Sequence, residues 1–117
     1  MTITVYGIPS CDTCRKARAW LTARGAGHAW VDLRAAPPAA GKVAAWVSAF
    51  GAKALRNTSG GSFRALGPEK DGFGDAEWSA AFARDPMLIK RPVLEIEGRP
   101  ASVGFKPDVW EKLLGTE

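Results

Sequence analysis

The 117-residue sequence carries only two cysteines and one histidine. Zinc ordinarily takes four ligands, so two thiols and His28 amount to part of a site, and no bound metal or organic prosthetic group is expected. No apolar run has the length to span a membrane, and residues 1–5 have neither a basic leader nor a signal-length hydrophobic segment. The compartment expected by default is therefore the cytoplasm, with no membrane partner. Long runs of like charge are also missing. Sixteen Lys and Arg residues are scattered from Arg15 to Lys112, never more than two together, which makes the net charge of +4 a weak indicator of nucleic acid. The same excess of cations suits a small anionic substrate or the carboxylates of a peptide thiol.

What the chain does have is 46% hydrophobic content and five tryptophans, enough for one compact core and too little length for two ordinary domains. A single domain over residues 1–117 is expected. Both cysteines fall in one stretch, Gly7-Ile8-Pro9-Ser10-Cys11-Asp12-Thr13-Cys14-Arg15-Lys16-Ala17. Thiols at i and i+3 share a face of a helix's first turn, where free backbone N–H groups favour an anion. Cys11, at an N-cap or N1 position, is the exposed candidate nucleophile; Cys14, one turn inside, is the shielded partner. Arg15 stands four residues after Cys11, so its guanidinium can reach a thiolate or an oxyanion beside it. Lys16 and Arg18 add positive potential, and Asp12 opposes it. The alternatives for this Cys-x-x-Cys are two buried inert cysteines or half a zinc site. In a reducing compartment a working dithiol is the stronger reading.

Periodicity sets out the rest. Residues 2–6 alternate with Ile3 and Val5 on one face, as a strand does, and a turn over 7–10 leads into a helix over about 12–24 with Cys14, Ala17, Trp20 and Leu21 inward and Gly25 beyond its end. Residues 29–33 form a second strand, parallel to the first by the right-handed crossover rule. His28 before it is a surface or capping histidine. Pro37 and Pro38 open a helix over about 38–50, and a short helical piece follows at 52–56. The polar, Gly-rich stretch 57–62 is either a mobile flap or a plain surface loop. Residues 67–74 form another loop. Asp75 looks like the N-cap of a helix over 76–84 that buries Trp78, Ala81 and Phe82. Strands near 93–96 and 101–103 make a hairpin, and Pro107 starts a last helix with Val109, Trp110, Leu113 and Leu114 inward. The fold class is thus α/β: β-α-β, a helical insertion over about 38–86, then β-β-α. With a dithiol at the start of the first helix, this is the order of a thioredoxin-like (glutaredoxin-like) core.

Four separated motifs carry a resemblance across nearly the whole chain: YGIPSCDTCRKARAWL, LRNTSGGSFR, LIKRPVLE and VGFKP. In that order they resemble the arsenate reductase (ArsC)/Spx family. Its branches are glutaredoxin-coupled arsenate reductases, Spx-type regulators that bind RNA polymerase through its α subunit, and small ArsC-like proteins of the YffB type proposed to be glutathione-dependent thiol reductases. The sequence looks closest to the last. The resemblance implies that Cys11, followed by Arg15, is the nucleophile, that Cys14 either resolves its mixed disulfide or stays structural, and that glutathione is the co-substrate. It further implies anion-holding roles for Arg56 and Arg91, a cis-proline loop at Arg91-Pro92 facing the thiol, and a closing segment that includes Asn57 and Thr58. Two departures stand out. Lys106 occupies the place of a third arginine and supplies charge without a bidentate fork, and Gly7 replaces a family histidine four residues before the nucleophile. Arg64 matches a basic residue of the small-reductase branch, Gly51 matches a glycine near which the regulators contact polymerase, and the regulators' chains extend further at the carboxyl end. Two alternatives to thiol reduction follow from the same resemblance: arsenate reduction with glutaredoxin, and redox-sensing regulation.

Overall fold

A computed structural model describes residues 1–115. In chain order its elements are β1 (Ile3–Gly7), α1 (Asp12–Ala23), β2 (Ala29–Asp32), α2 (Ala40–Phe50), α3 (Ala52–Leu55), α4 (Gly61–Ala65), α5 (Asp75–Arg84), β3 (Val93–Ile96), β4 (Arg99–Val103) and α6 (Pro107–Leu114), with 3-10 turns at Pro68–Gly72 and Pro86–Leu88. They fall into two units, one made of Met1–Asp32 with the segment from Arg91 onward, the other of Leu33–Lys90.

The first unit holds a four-stranded mixed sheet in the order β2-β1-β3-β4. β1 is central. It runs parallel to β2, with Thr4 opposite Ala29 and Gly7 opposite Asp32, and antiparallel to β3, with Ile3 opposite Ile96 and Tyr6 opposite Val93. β3 and β4 form the expected hairpin, turning through Glu97 at φ 55° and Gly98 at φ 74°, the left-handed pair that a two-residue turn needs. Side chains of β1 alternate as the sequence reads. Ile3 and Val5 pack with Ala17 and Leu21 of α1, Leu94 of β3 and Trp110 of α6 in one buried cluster. Trp20 and Phe105 meet Trp110 edge-on at 6.3 and 4.9 Å between ring centres, and Trp110 Nε1 donates to the Gly104 carbonyl at 3.2 Å. At the next β1 position Tyr6 turns to the other face, where its hydroxyl donates to the buried Glu95 carboxylate at 2.9 Å. The arrangement is the thioredoxin-like α/β fold expected from the element order.

The second unit is helical. Val43, Trp46 and Val47 of α2 and Trp78, Ala81 and Phe82 of α5 are buried, and Trp78 is ringed by Phe63, Phe73 and Phe82. Several boundaries differ from the sequence reading, each for a local reason. Helix α2 begins at Ala40 instead of residue 38, with Pro37 and Pro38 outside it and Ala39 as a cap without a side-chain hydrogen bond. The loop at 57–62 is shorter than expected, since α4 starts at Gly61, and residues 68–72 of the next loop wind into a 3-10 turn. Asp75 lies inside α5, not before it: Gly74 is the cap, and its N–H donates to Glu77 Oε1 at 2.8 Å. In α6 only Trp110 is fully buried and Leu114 partly so; Val109 and Leu113, expected inward, are 41% and 38% exposed, because eight residues present just one stripe to the sheet. Among the described residues no helix is long and apolar enough to cross a membrane.

Candidate functional site

The site grows out of the end of β1. After Gly7 the chain turns, closed by a hydrogen bond from the Cys11 N–H to the Ile8 carbonyl at 3.2 Å, and Cys11 becomes the N-cap of α1 with extended backbone, φ −87° and ψ 120°. A cap residue ordinarily offers a side-chain oxygen to the first turn. Here sulfur takes that role: Cys11 Sγ accepts from the Cys14 N–H at 3.4 Å. Cys11 is partly exposed, whereas Cys14 is 1% exposed; both are free thiols.

The two sulfurs are driven apart in acidity. Burial pushes the Cys11 pKa up, but hydrogen bonds from the Cys14 N–H, the Cys14 thiol and the Thr13 N–H, together with the charge of Arg91, outweigh it, so the net direction is down. Cys14 goes the other way, pushed up to about 12 first by burial and then by its position beside Cys11, against a hydrogen bond from the Ile8 N–H and the charge of Arg91. The protein thus holds one thiol ready to ionise and keeps its neighbour neutral.

Arg15 lies differently from expectation. Its Nη1 donates to the Pro9 carbonyl at 2.8 Å and its Nη2 pairs with Asp12, so Arg15 braces the turn and neutralises the anion beside Cys11. Arg91 is the guanidinium whose field bears on both sulfurs. The Arg91-Pro92 peptide bond is cis, and Pro92 is buried just before β3. Lys106, exposed, caps α6, its carbonyl accepting from the Trp110 N–H at 3.0 Å. Cys11, Cys14, Arg15, Arg91, Pro92 and Lys106 all belong to the first unit.

Arg56, Asn57 and Thr58 belong to the second unit. Arg56 pairs with Ile89 in an isolated antiparallel bridge, lies 4.3 Å over the Trp78 ring and donates from Nε to the Ala52 carbonyl at 3.3 Å. Asn57 organises its own loop, accepting from Ser59 Oγ at 3.0 Å and donating from Nδ2 to the Met87 carbonyl at 3.4 Å; Thr58 is exposed. His28 approaches the Ala26 carbonyl at 3.1 Å through Nδ1, a local contact. Among the described residues no group of three or more His, Cys, Asp or Glu side chains is placed to hold a metal ion.

One neighbour of the dithiol escaped the sequence reading as a steric element. A Cβ built on Gly7 would overlap Cys14 Sγ. The sequence placed Gly7 in the turn over 7–10; the structure makes it the last residue of β1, where a glycine marks a close approach.

A model of the ArsC family matches residues 6–113. The uncharacterized protein YusI of Bacillus subtilis (strain 168) is 35% identical over 116 residues, covering 96% of this chain and 98% of that protein. A solved structure named YFFB protein superposes with a TM-score of 0.89 at 34% identity, covering 97% of this chain and 99% of that one. The crystal structure of a possible arsenate reductase from Streptococcus mutans UA159 gives a TM-score of 0.85 at 36% identity, covering 97% and 98%. The global transcriptional regulator Spx of Listeria innocua serovar 6a is 25% identical over 114 residues, covering 96% of this chain and 86% of the regulator. The match spans all four motifs that suggested the resemblance, and the chain belongs to the ArsC family.

Proposed function

We propose that the protein is a thiol-dependent oxidoreductase that uses Cys11 as nucleophile and glutathione as co-substrate to reduce disulfides. The observation that carries this reading is the pairing of a partly exposed N-cap sulfur of lowered pKa with a buried thiol of raised pKa one turn along. The Cys11 thiolate attacks one sulfur of a glutathione mixed disulfide; the S–S bond breaks and the departing thiolate takes up a proton. A second glutathione thiolate then attacks the glutathione sulfur bonded to Cys11 and frees the Cys11 thiolate, or Cys14, after losing its proton, attacks the Cys11 sulfur and expels glutathione as a thiolate, leaving a Cys11–Cys14 disulfide. With glutathione resolving, the sum is one mixed disulfide and one glutathione converted into one free thiol and one glutathione disulfide. Arg91 steadies the negative charge on the attacking and departing sulfurs.

The test is turnover of a glutathione mixed disulfide. Cys11→Ser should abolish it with the fold retained by circular dichroism, and iodoacetamide should label Cys11 at a lower pH than a free thiol requires. Activity that survives Cys11→Ser would remove Cys11 from the mechanism. Alanine variants of Arg56, Asn57, Thr58, Arg91 and Lys106 test their substrate-binding roles one at a time, each expected to raise KM. Loss of arsenate consumption with glutaredoxin in Arg91→Ala would favour a second reading, arsenate reduction, which the name of the Streptococcus mutans structure supports. Redox-dependent binding to the RNA polymerase α subunit without turnover would favour a regulator instead.

A further inference from the structure

Gly7 ends β1, and its backbone does not call for glycine: it is absent from the residues of positive φ, so any L residue could adopt its conformation. Space explains it. A Cβ at Gly7 would overlap Cys14 Sγ and come to 3.0 and 3.2 Å from Cη2 and Cζ3 of Trp30. The Trp30 ring is in turn covered by the Arg18 guanidinium, 4.4 Å from its centre. The Cys14 sulfur therefore sits in a niche bounded by the Gly7 backbone and the Ile8 N–H that hydrogen-bonds to it, with the edge of Trp30 crowding the same point.

We infer that Gly7 is a positioning residue for the dithiol: the space left by its missing side chain seats the Cys14 sulfur in the reduced protein and thereby sets how readily Cys11 and Cys14 join. This rests on the reading of Cys11 as nucleophile. The Cys11 thiolate attacks one sulfur of oxidised glutathione, forming a mixed disulfide and expelling a first glutathione thiolate. Cys14 gives its proton to solvent and attacks the Cys11 sulfur, expelling the second. The two protein thiols lose two electrons, and one glutathione disulfide becomes two glutathiones. Closing the bond brings the sulfurs from hydrogen-bonding separation to about 2.05 Å. That draws Cys14 out of the niche, so the niche favours the dithiol.

Filling it with a methyl group should do the opposite. Equilibrated in glutathione buffers, acid-quenched and alkylated, Gly7→Ala should have a disulfide-to-dithiol ratio about tenfold above that of the natural protein; an equal or lower ratio overturns the inference. Urea unfolding of the reduced natural protein, Gly7→Ala, Cys14→Ala and the double variant gives a second reading. The seat requires Gly7→Ala to cost much more stability when Cys14 is present than when alanine replaces it. Equal losses, as a clash with Trp30 alone would give, overturn it. If Gly7→Ala does not fold, a double variant as stable as Cys14→Ala supports the seat, and one that also fails to fold overturns it. Should Cys11 prove unreactive in the natural protein, the reading of Cys11 as nucleophile fails, while the unfolding comparison still decides whether Gly7 seats Cys14.

Discussion

At the scale of single residues, two sulfurs one helical turn apart are pushed to opposite acidities by what surrounds them. Cys11 receives hydrogen bonds from backbone N–H groups at the head of α1; Cys14 is buried. The consequence for stability can be signed. Cys14 is held at about 12, above the roughly 8.5 of an unfolded thiol, so the contribution of its seated neutral form is complete below the unfolded value and is lost as pH rises toward the folded one. Between those limits the reduced natural protein should lose up to about 1.4 kcal/mol of unfolding free energy per pH unit more than Cys14→Ala does. Parallel curves from urea unfolding across that range would contradict the assignment. Cys11 has the reverse sign: its depressed pKa stabilises above the unfolded value, and that contribution fades as pH falls through the folded one.

At the scale of elements, what was legible in the sequence depended on how many neighbours fixed each segment. β1 and α1 were readable because alternation, the turn residues and the apolar stripe of Cys14, Ala17 and Leu21 all agree. The start of α2 and the exposure of α6 were not, since two prolines signal a helix start without saying how far the chain travels first, and the spacing of Val109 and Leu113 says nothing about how wide a face the sheet can cover. The partners of Arg15 were hidden for a similar reason: sequence places it within reach of Cys11, but Asp12 and the Pro9 carbonyl are closer competitors. Helix α6 provides a graded check. Trp110→Ala, emptying a wholly buried site, should cost about 3–5 kcal/mol, while Leu113→Gln on the exposed stripe should stay within about 0.5 kcal/mol, both measured by urea unfolding.

For the molecule as a whole, the terminal segments build a sheet-based unit and the middle of the chain a helical one. Four motifs spread along the sequence were enough to give the family before any coordinates, because each joins a turn residue or proline to a charged or thiol side chain at fixed spacing. The niche at Gly7 was not legible, because the spacing of Gly7 and Cys14 within one motif does not show that the Cys14 sulfur lies against the glycine, nor that Trp30 of β2 crowds the same point. The net charge of +4 also acts at this scale. Positive potential should speed encounter with the anionic glutathione disulfide, so that reaction at Cys11 should slow as sodium chloride is raised over a range that leaves reaction with the neutral hydroxyethyl disulfide unchanged. Equal salt dependence for both would remove steering from the account.

β1 is bonded to a strand on each side, and Cys11 follows four residues after its end. If Cys11 is the nucleophile proposed above, its place at the head of α1 leaves it less free to swing out toward a bulky disulfide than a residue on a free loop. On that reading, a disulfide reduced at Cys11 has to offer its sulfur on a protruding or pliable segment, and small peptides and unfolded chains should be better clients than rigid folded ones.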